Sequence, residues 1–159
     1  MKSTATNLAK NMISPSLWDI YKDVYFCLFN AAYHYLDGAI ISLWNPEGKT
    51  YDRIQNRALA KKYISLMSRQ NNKIKYLYGG NQDMSYRELS VSINTSLINA
   101  QKMAQRCHQK AFYYLDNGEI TLYNSADLQQ HYVLNTHLLS RLSHTPMPKT
   151  NLALSPLSK

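Results

Sequence analysis

Glu88 and Ser90 stand two residues apart in Glu88-Leu89-Ser90-Val91-Ser92-Ile93, where polar and apolar residues alternate. On a strand such positions share a face, so the carboxylate and the hydroxyl are expected side by side. A serine beside a carboxylate without a placed base is not an activated nucleophile, and the pair reads as a hydrogen-bonding unit. Gln109 follows the next helical segment and is expected to hold backbone groups where that helix meets the last strands. No catalytic residue is assigned on this basis. An enzyme with a site near Glu88, Ser90 and Gln109 stays as an alternative, and a concave pocket joining the three is what would favour it.

Other chemistries lack the residues to carry them. Gly79-Gly80-Asn81-Gln82-Asp83 has neither the Lys nor the hydroxyl of a phosphate loop. Cys107 and His108 are neighbours on a helix and point about 100° apart. His131, His137 and His144 lack the adjacent-turn spacing of a zinc motif. No metal and no cofactor is therefore expected. The two cysteines, Cys27 and Cys107, define no disulfide framework and suit a reducing cytoplasm. No apolar run is long enough to span a bilayer, and no membrane partner is expected.

The elements that must position these residues can be traced along the chain. Residues 1–14 are polar and read as a tail, 15–143 as one α+β domain, and 144–159, with Pro146, Pro148 and Pro156, as a disordered tail. Ser14-Pro15 reads as a helix N-cap and first helical residue. Residues 32–36 and 39–44 flank Asp37-Gly38, and 111–115 and 119–123 flank Asp116-Asn117-Gly118, which predicts two hairpins. Residues 51–70 lack Gly and Pro and predict a helix with Tyr51, Ile54, Ala58, Leu59, Tyr63 and Leu66 on its buried face. Residues 73–78 and 89–93 alternate as strands, leaving Ser90 and Ser92 on the polar side. A helix with Leu97, Ala100, Ala104 and Cys107 as its stripe follows, and a last helix is expected over 125–142 with Leu128, Tyr132, Leu139 and Leu142. The order predicts a split-βαβ-type α+β sandwich: a mainly antiparallel sheet, two helices on one face, and extra N- and C-terminal helices.

Leu43-Trp44-Asn45-Pro46, then Gln55-Asn56, then Glu88-x-Ser90-Val91, then Gln109-x-Ala111-Phe112 occur in an order that resembles a small bacterial family, domain of unknown function 3293. The resemblance runs over about residues 18–124. It implies the fold and marks Asn45, Pro46, Asn56, Glu88, Ser90 and Gln109 as positions of interest, without implying an activity. The chain departs from the family pattern at Ala60-Lys61, where a second Asn and an Arg are common.

Charge suggests partners. The net charge is +8, and the segment Lys49–Lys110 holds twelve basic residues against three acidic ones. With 13 Tyr and no catalytic constellation, the leading expectation is a non-enzymatic cytoplasmic module that binds another protein. A homodimer through the 125–142 helix is a further candidate. The alternative is RNA or single-stranded nucleic acid, contacted by Lys61, Lys62, Lys73 and Lys75, with Tyr33, Tyr35, Trp44, Tyr113 and Tyr123 as a stacking platform. For that alternative, reversing Lys73 and Lys75 to Glu is expected to abolish retention on single-stranded RNA. Retention should also fall steeply with salt as counterions are released, and wild-type protein that shows none at low salt rejects the reading.

Overall fold

The computed structural model describes residues 11–30, 36–69 and 73–143. Most of the expected N-terminal tail and all of the C-terminal one lie outside the described residues. In chain order the elements are α1 (Pro15–Lys22), β1 (Tyr25–Leu28), β2 (Gly38–Ser42), α2 (Arg53–Ser68), β3 (Ile74–Gly80), β4 (Arg87–Ile93), α3 (Leu97–Arg106), β5 (Ala111–Asp116), β6 (Glu119–Asn124) and β7 (His131–His137). The seven strands form one antiparallel sheet in the order β1-β3-β4-β2-β5-β6-β7. β4 lies between β2 and β3, which is the split-βαβ arrangement. The fold is α+β, as the sequence predicts.

Local chemistry explains the element ends. Ser14 caps α1 with Pro15 at its first position. Asp52 caps α2 in a reciprocal capping box: the Gln55 backbone N–H donates to Asp52 Oδ1 (2.8 Å), and the Asp52 N–H donates to Gln55 Oε1 (3.1 Å). Ser96 caps α3. Between β5 and β6, Asn117 (φ 52°) and Gly118 (φ 82°) supply the two positive φ angles that a tight hairpin needs. A Cβ at Gly118 would also collide with the His137 ring of β7.

Two apolar layers form, one on each side of the sheet. On the first, Ala39, Ile41 and Leu43 and the β4 residues Leu89, Val91 and Ile93 pack under Ala60, Tyr63 and Met67 of α2 and Ala100, Met103 and Ala104 of α3. On the second, Phe26, Ile40, Leu77, Leu115, Leu122 and Leu134 meet in one cluster although they come from both ends of the sheet. The sheet therefore curls around them. The curl is tied where Phe26 bridges to Leu142, where the Ser143 N–H donates to the Phe26 carbonyl (2.7 Å), and where Arg141 donates to the Lys22 and Val24 carbonyls (3.2 Å each).

Several expectations are corrected by this arrangement. Both edges of β2 are taken, by β4 and β5, so Asp37-Gly38 closes no hairpin onto β2; residues 32–35 of the expected arm lie outside the described residues. The helix expected over 125–142 does not form. Asn124 and Asp127 turn the chain by accepting from the Ala126 and Gln129 N–H groups, and β7 then pairs with the open edge of β6. Tyr132, Val133 and Thr136 suit a strand, and pairing an exposed edge outweighs a helical stripe. The homodimer helix is thus absent. The buried face of α2 is also rotated: Asn56, Ala60, Tyr63 and Met67 face inward, while Ile54 is 81% exposed. Ser90 and Ser92 are 3% and 4% exposed, because the polar face of β4 looks into the curl instead of solvent.

These placements set the stability pattern. Leu89→Ala should lower stability by about 2–4 kcal/mol through a core cavity. Ile54→Ala, on the residue that periodicity alone assigns to the core, should stay within about 0.5 kcal/mol of wild type. Urea midpoints of the two variants check both, and an equal loss would contradict the rotated α2 face.

Candidate functional site

Past Ser42 the chain leaves β2, and Asn45 adopts a left-handed conformation (φ 50°, ψ 54°) before Pro46. Asparagine is one of the few residues with a side chain that tolerate this region, at some cost. Its carbonyl accepts from the Gly48 N–H (3.2 Å), and five further hydrogen bonds hold it. Its backbone N–H donates to Asn56 Oδ1 (2.9 Å), and its Oδ1 accepts from Asn56 Nδ2 (3.0 Å) and from the Tyr51 N–H (2.9 Å). Its Nδ2 donates to Glu88 Oε1 (3.1 Å) and Tyr86 Oη (3.3 Å). Asn56, on the inward face of α2, completes the link by donating to the Tyr51 carbonyl (3.2 Å).

Glu88 collects the other end of this network. The Tyr86 hydroxyl donates to Oε1 (2.7 Å), and the Ser42 hydroxyl donates to Oε2 (2.7 Å). Ser90 turns its hydroxyl onto the Glu88 carbonyl (3.1 Å). Gln109 donates its amide to the Trp44 carbonyl (2.8 Å), and the Ser125 hydroxyl donates to the Gln109 carbonyl. The four motifs quoted from the sequence are thus joined by direct hydrogen bonds, with Pro46 buried beside them.

The inner face of the curled sheet and α1 enclose a cavity of about 450 Å³. Glu88, Ser90 and Gln109 all line it, together with Ser42 and apolar groups that include Leu17, Phe26 and Ile40. Among the described residues no Lys or Arg lines it, and its charged groups are Glu88 and the exposed Asp23. Among the described residues Glu88 has no ion-pair partner within 4.0 Å, although the chain is basic. The phenols around it are held neutral. Burial and the nearby Glu88 charge push Tyr21 up to about 12, and burial followed by the Glu88 charge and hydrogen bond raises Tyr86 strongly. Tyr113, whose hydroxyl donates to the Tyr21 carbonyl (2.6 Å), is raised well above its usual value by burial.

Activated nucleophiles are not assembled here. Ser90 has no base against its hydroxyl among the described residues, and its proton is directed at a backbone carbonyl. Burial pushes the Cys107 thiol up to about 12, far from a thiolate at neutral pH. No group of three or more His, Cys, Asp or Glu residues that could hold a metal ion occurs among the described residues, and no described helix is long and apolar enough to cross a membrane.

The nucleic-acid candidates fall elsewhere. Lys61, Lys62 and Lys73 are exposed and Lys75 is half-buried in β3, and none of the four lines this cavity. The expected aromatic platform is not one face. Tyr113 points into the curl, Trp44 and Tyr123 pack on the helix side, and Tyr33 and Tyr35 lie outside the described residues. Sequence reasoning missed Tyr21, Ser42 and Tyr86 as partners of the site. The signal for Tyr86 and Ser42 was available: Tyr86 precedes Glu88 by two residues, and Ser42 is cross-strand from Ser90 in the β2–β4 register.

Substitutions at Asn45 separate its backbone role from its side-chain role. Asn45→Gly keeps the left-handed turn but loses the side-chain bonds, and should cost about 2 kcal/mol. Asn45→Ala should cost about 1 kcal/mol more, because Ala adds the left-handed strain that Gly escapes. Equal midpoints in urea for the two variants would show that the turn carries no strain.

Residues 41–112, from β2 into β5, contain every one of these motif positions. No curated protein and no solved structure matches the chain. Over those residues 41–112 it does match the model of one family, described as Protein of unknown function (DUF3293), and it is to this family that the chain is similar.

Proposed function

We propose that the protein binds a small amphipathic molecule with an apolar body and a positively charged, hydrogen-bond-donating head, such as an alkyl or aryl ammonium. One observation carries the reading: in a chain of net charge +8, an apolar cavity of about 450 Å³ is lined, among the described residues, by carboxylates and by no Lys or Arg. Its volume falls within the range of about 300–1,000 Å³ usual for small-molecule sites. Glu88 supplies the anionic anchor, and Ser42, Tyr86 and Asn45 fix its orientation before a ligand arrives. The apolar walls strengthen the attraction by excluding water. The pocket joins Glu88, Ser90 and Gln109, which moves the functional reading from macromolecule binding toward a small ligand. The absence of an activated nucleophile among the described residues favours binding over covalent chemistry.

The test compares 4-phenylbutylammonium with 4-phenylbutyrate, which share an apolar body and differ in charge. A ligand that binds only the native state raises the melting temperature by mass action. The ammonium should do so and the carboxylate should not. Glu88→Gln should weaken the ammonium at least about tenfold, the scale of losing a charged hydrogen bond. The Ser42 hydroxyl has the Trp44 carbonyl (3.1 Å) as a second acceptor, so this substitution leaves it partnered and the fold intact. Equal responses to the two probes, or an ammonium response that survives Glu88→Gln, overturn the reading.

A further inference from the structure

A second cavity, of about 300 Å³, opens on the helix side of the sheet, next to the first turns of α2. Strand alternation sends Arg87 to this side and its neighbour Glu88 to the other. Arg53 and Arg57, one helical turn apart on α2, face Arg87 across it. Among the described residues no acidic side chain lines this cavity. Arg53 and Arg57 are exposed and have no ion pair among the described residues, and Asp52, their nearest acidic neighbour in sequence, is committed to the α2 cap. Arg87 is held in place: its Nη1 donates to the Met84 carbonyl (2.9 Å), and its guanidinium lies 5.5 Å from the centre of the Tyr78 ring.

Three guanidinium groups around one concave space repel one another and focus positive potential there. An independent feature adds to this. Trp44 lines the cavity, and its indole N–H is the one buried side-chain polar atom among the described residues without a hydrogen-bond partner. The Trp44 indole thus forms part of the cavity wall and senses what enters it. Ser85 supplies a hydroxyl on the same wall.

We infer that this cavity binds the phosphate group of a small molecule. Guanidinium forks match phosphate oxygens two at a time, and a dianion answers a triple positive charge better than a monoanionic carboxylate does. The inference uses different residues from the ammonium-binding reading and stands or falls separately from it.

The chain has two tryptophans, Trp18 and Trp44, so Trp18→Phe leaves Trp44 as the single indole reporter. In that background, inorganic phosphate at fixed ionic strength should change the indole fluorescence saturably, with acetate as the carboxylate arm binding more weakly. Arg53→Gln with Arg57→Gln should weaken phosphate at least about tenfold. Both positions are exposed on a capped helix, so the pair should fold, with an unchanged circular dichroism spectrum as the check. Lys102→Gln, an exposed cation on α3 that does not line the cavity, should leave the affinity unchanged. No saturable change up to about 10 mM phosphate, a scale above typical weak binding, overturns the inference. So does an affinity that survives the double substitution, or that falls equally with Lys102→Gln. Binding of single-stranded RNA through Arg53 and Arg57 without any response to inorganic phosphate would replace it with a nucleic-acid surface.

Discussion

The left-handed turn at Asn45 is the constraint on which the rest depends. A strained residue persists only where its surroundings over-determine it, and here the surroundings come from three elements that are distant in sequence. The turn after β2 supplies Asn45, the first turn of α2 supplies Asn56, and β4 supplies Glu88 with Tyr86 just before the strand. Asn45 is fully satisfied only if the other two are in place. An asparagine on the inward face of a helix would otherwise leave its amide buried and unmade. The network therefore sets the rotation of α2 against the sheet, and with it which residues of α2 form the core.

From this junction the two faces of the sheet acquire different characters. On the helix side, close packing under α2 and α3 leaves a cavity near the start of α2, edged by arginines. On the inner side the curl keeps strands from opposite ends of the sheet within reach of one another, yet the space beside Ser42, Glu88 and Ser90 remains unfilled. A small residue contributes to that space: Gly79 lines it beside Phe26 and Ser90, where a larger side chain would intrude.

Much of the architecture was legible because it rests on short-range chemistry. Ser14-Pro15 announces α1, Asn117-Gly118 announces the β5–β6 hairpin, and the alternation of 73–78 and 89–93 announces β3 and β4. The failures share a cause, which is that they depend on non-local partners. Ile54 loses to Asn56 on α2 because hydrogen bonds from Asn45 outweigh an apolar stripe. Residues 131–137 become a strand because β6 offers an edge, a fact no window of seven residues contains. Alternation identified Ser90 and Ser92 as the polar side of β4 but carried no information that the sheet would curl over that side. The motif residues of the site were readable one by one; their convergence on Glu88 was not.

Arg87 and Glu88 are consecutive, opposite in charge, and delivered to opposite faces of one strand. A slip of β4 by a single residue would exchange them, forcing a guanidinium into the apolar interior and tearing the carboxylate from its three donors. Apolar residues alone define register through burial, and a strand whose two sides are both covered gains less discrimination from that source. The adjacent charge pair supplies what burial leaves ambiguous. It acts as a key that admits one alignment of β4 with β2 and β3, so the residues that polarise the two cavities also guard the pairing of the central strands.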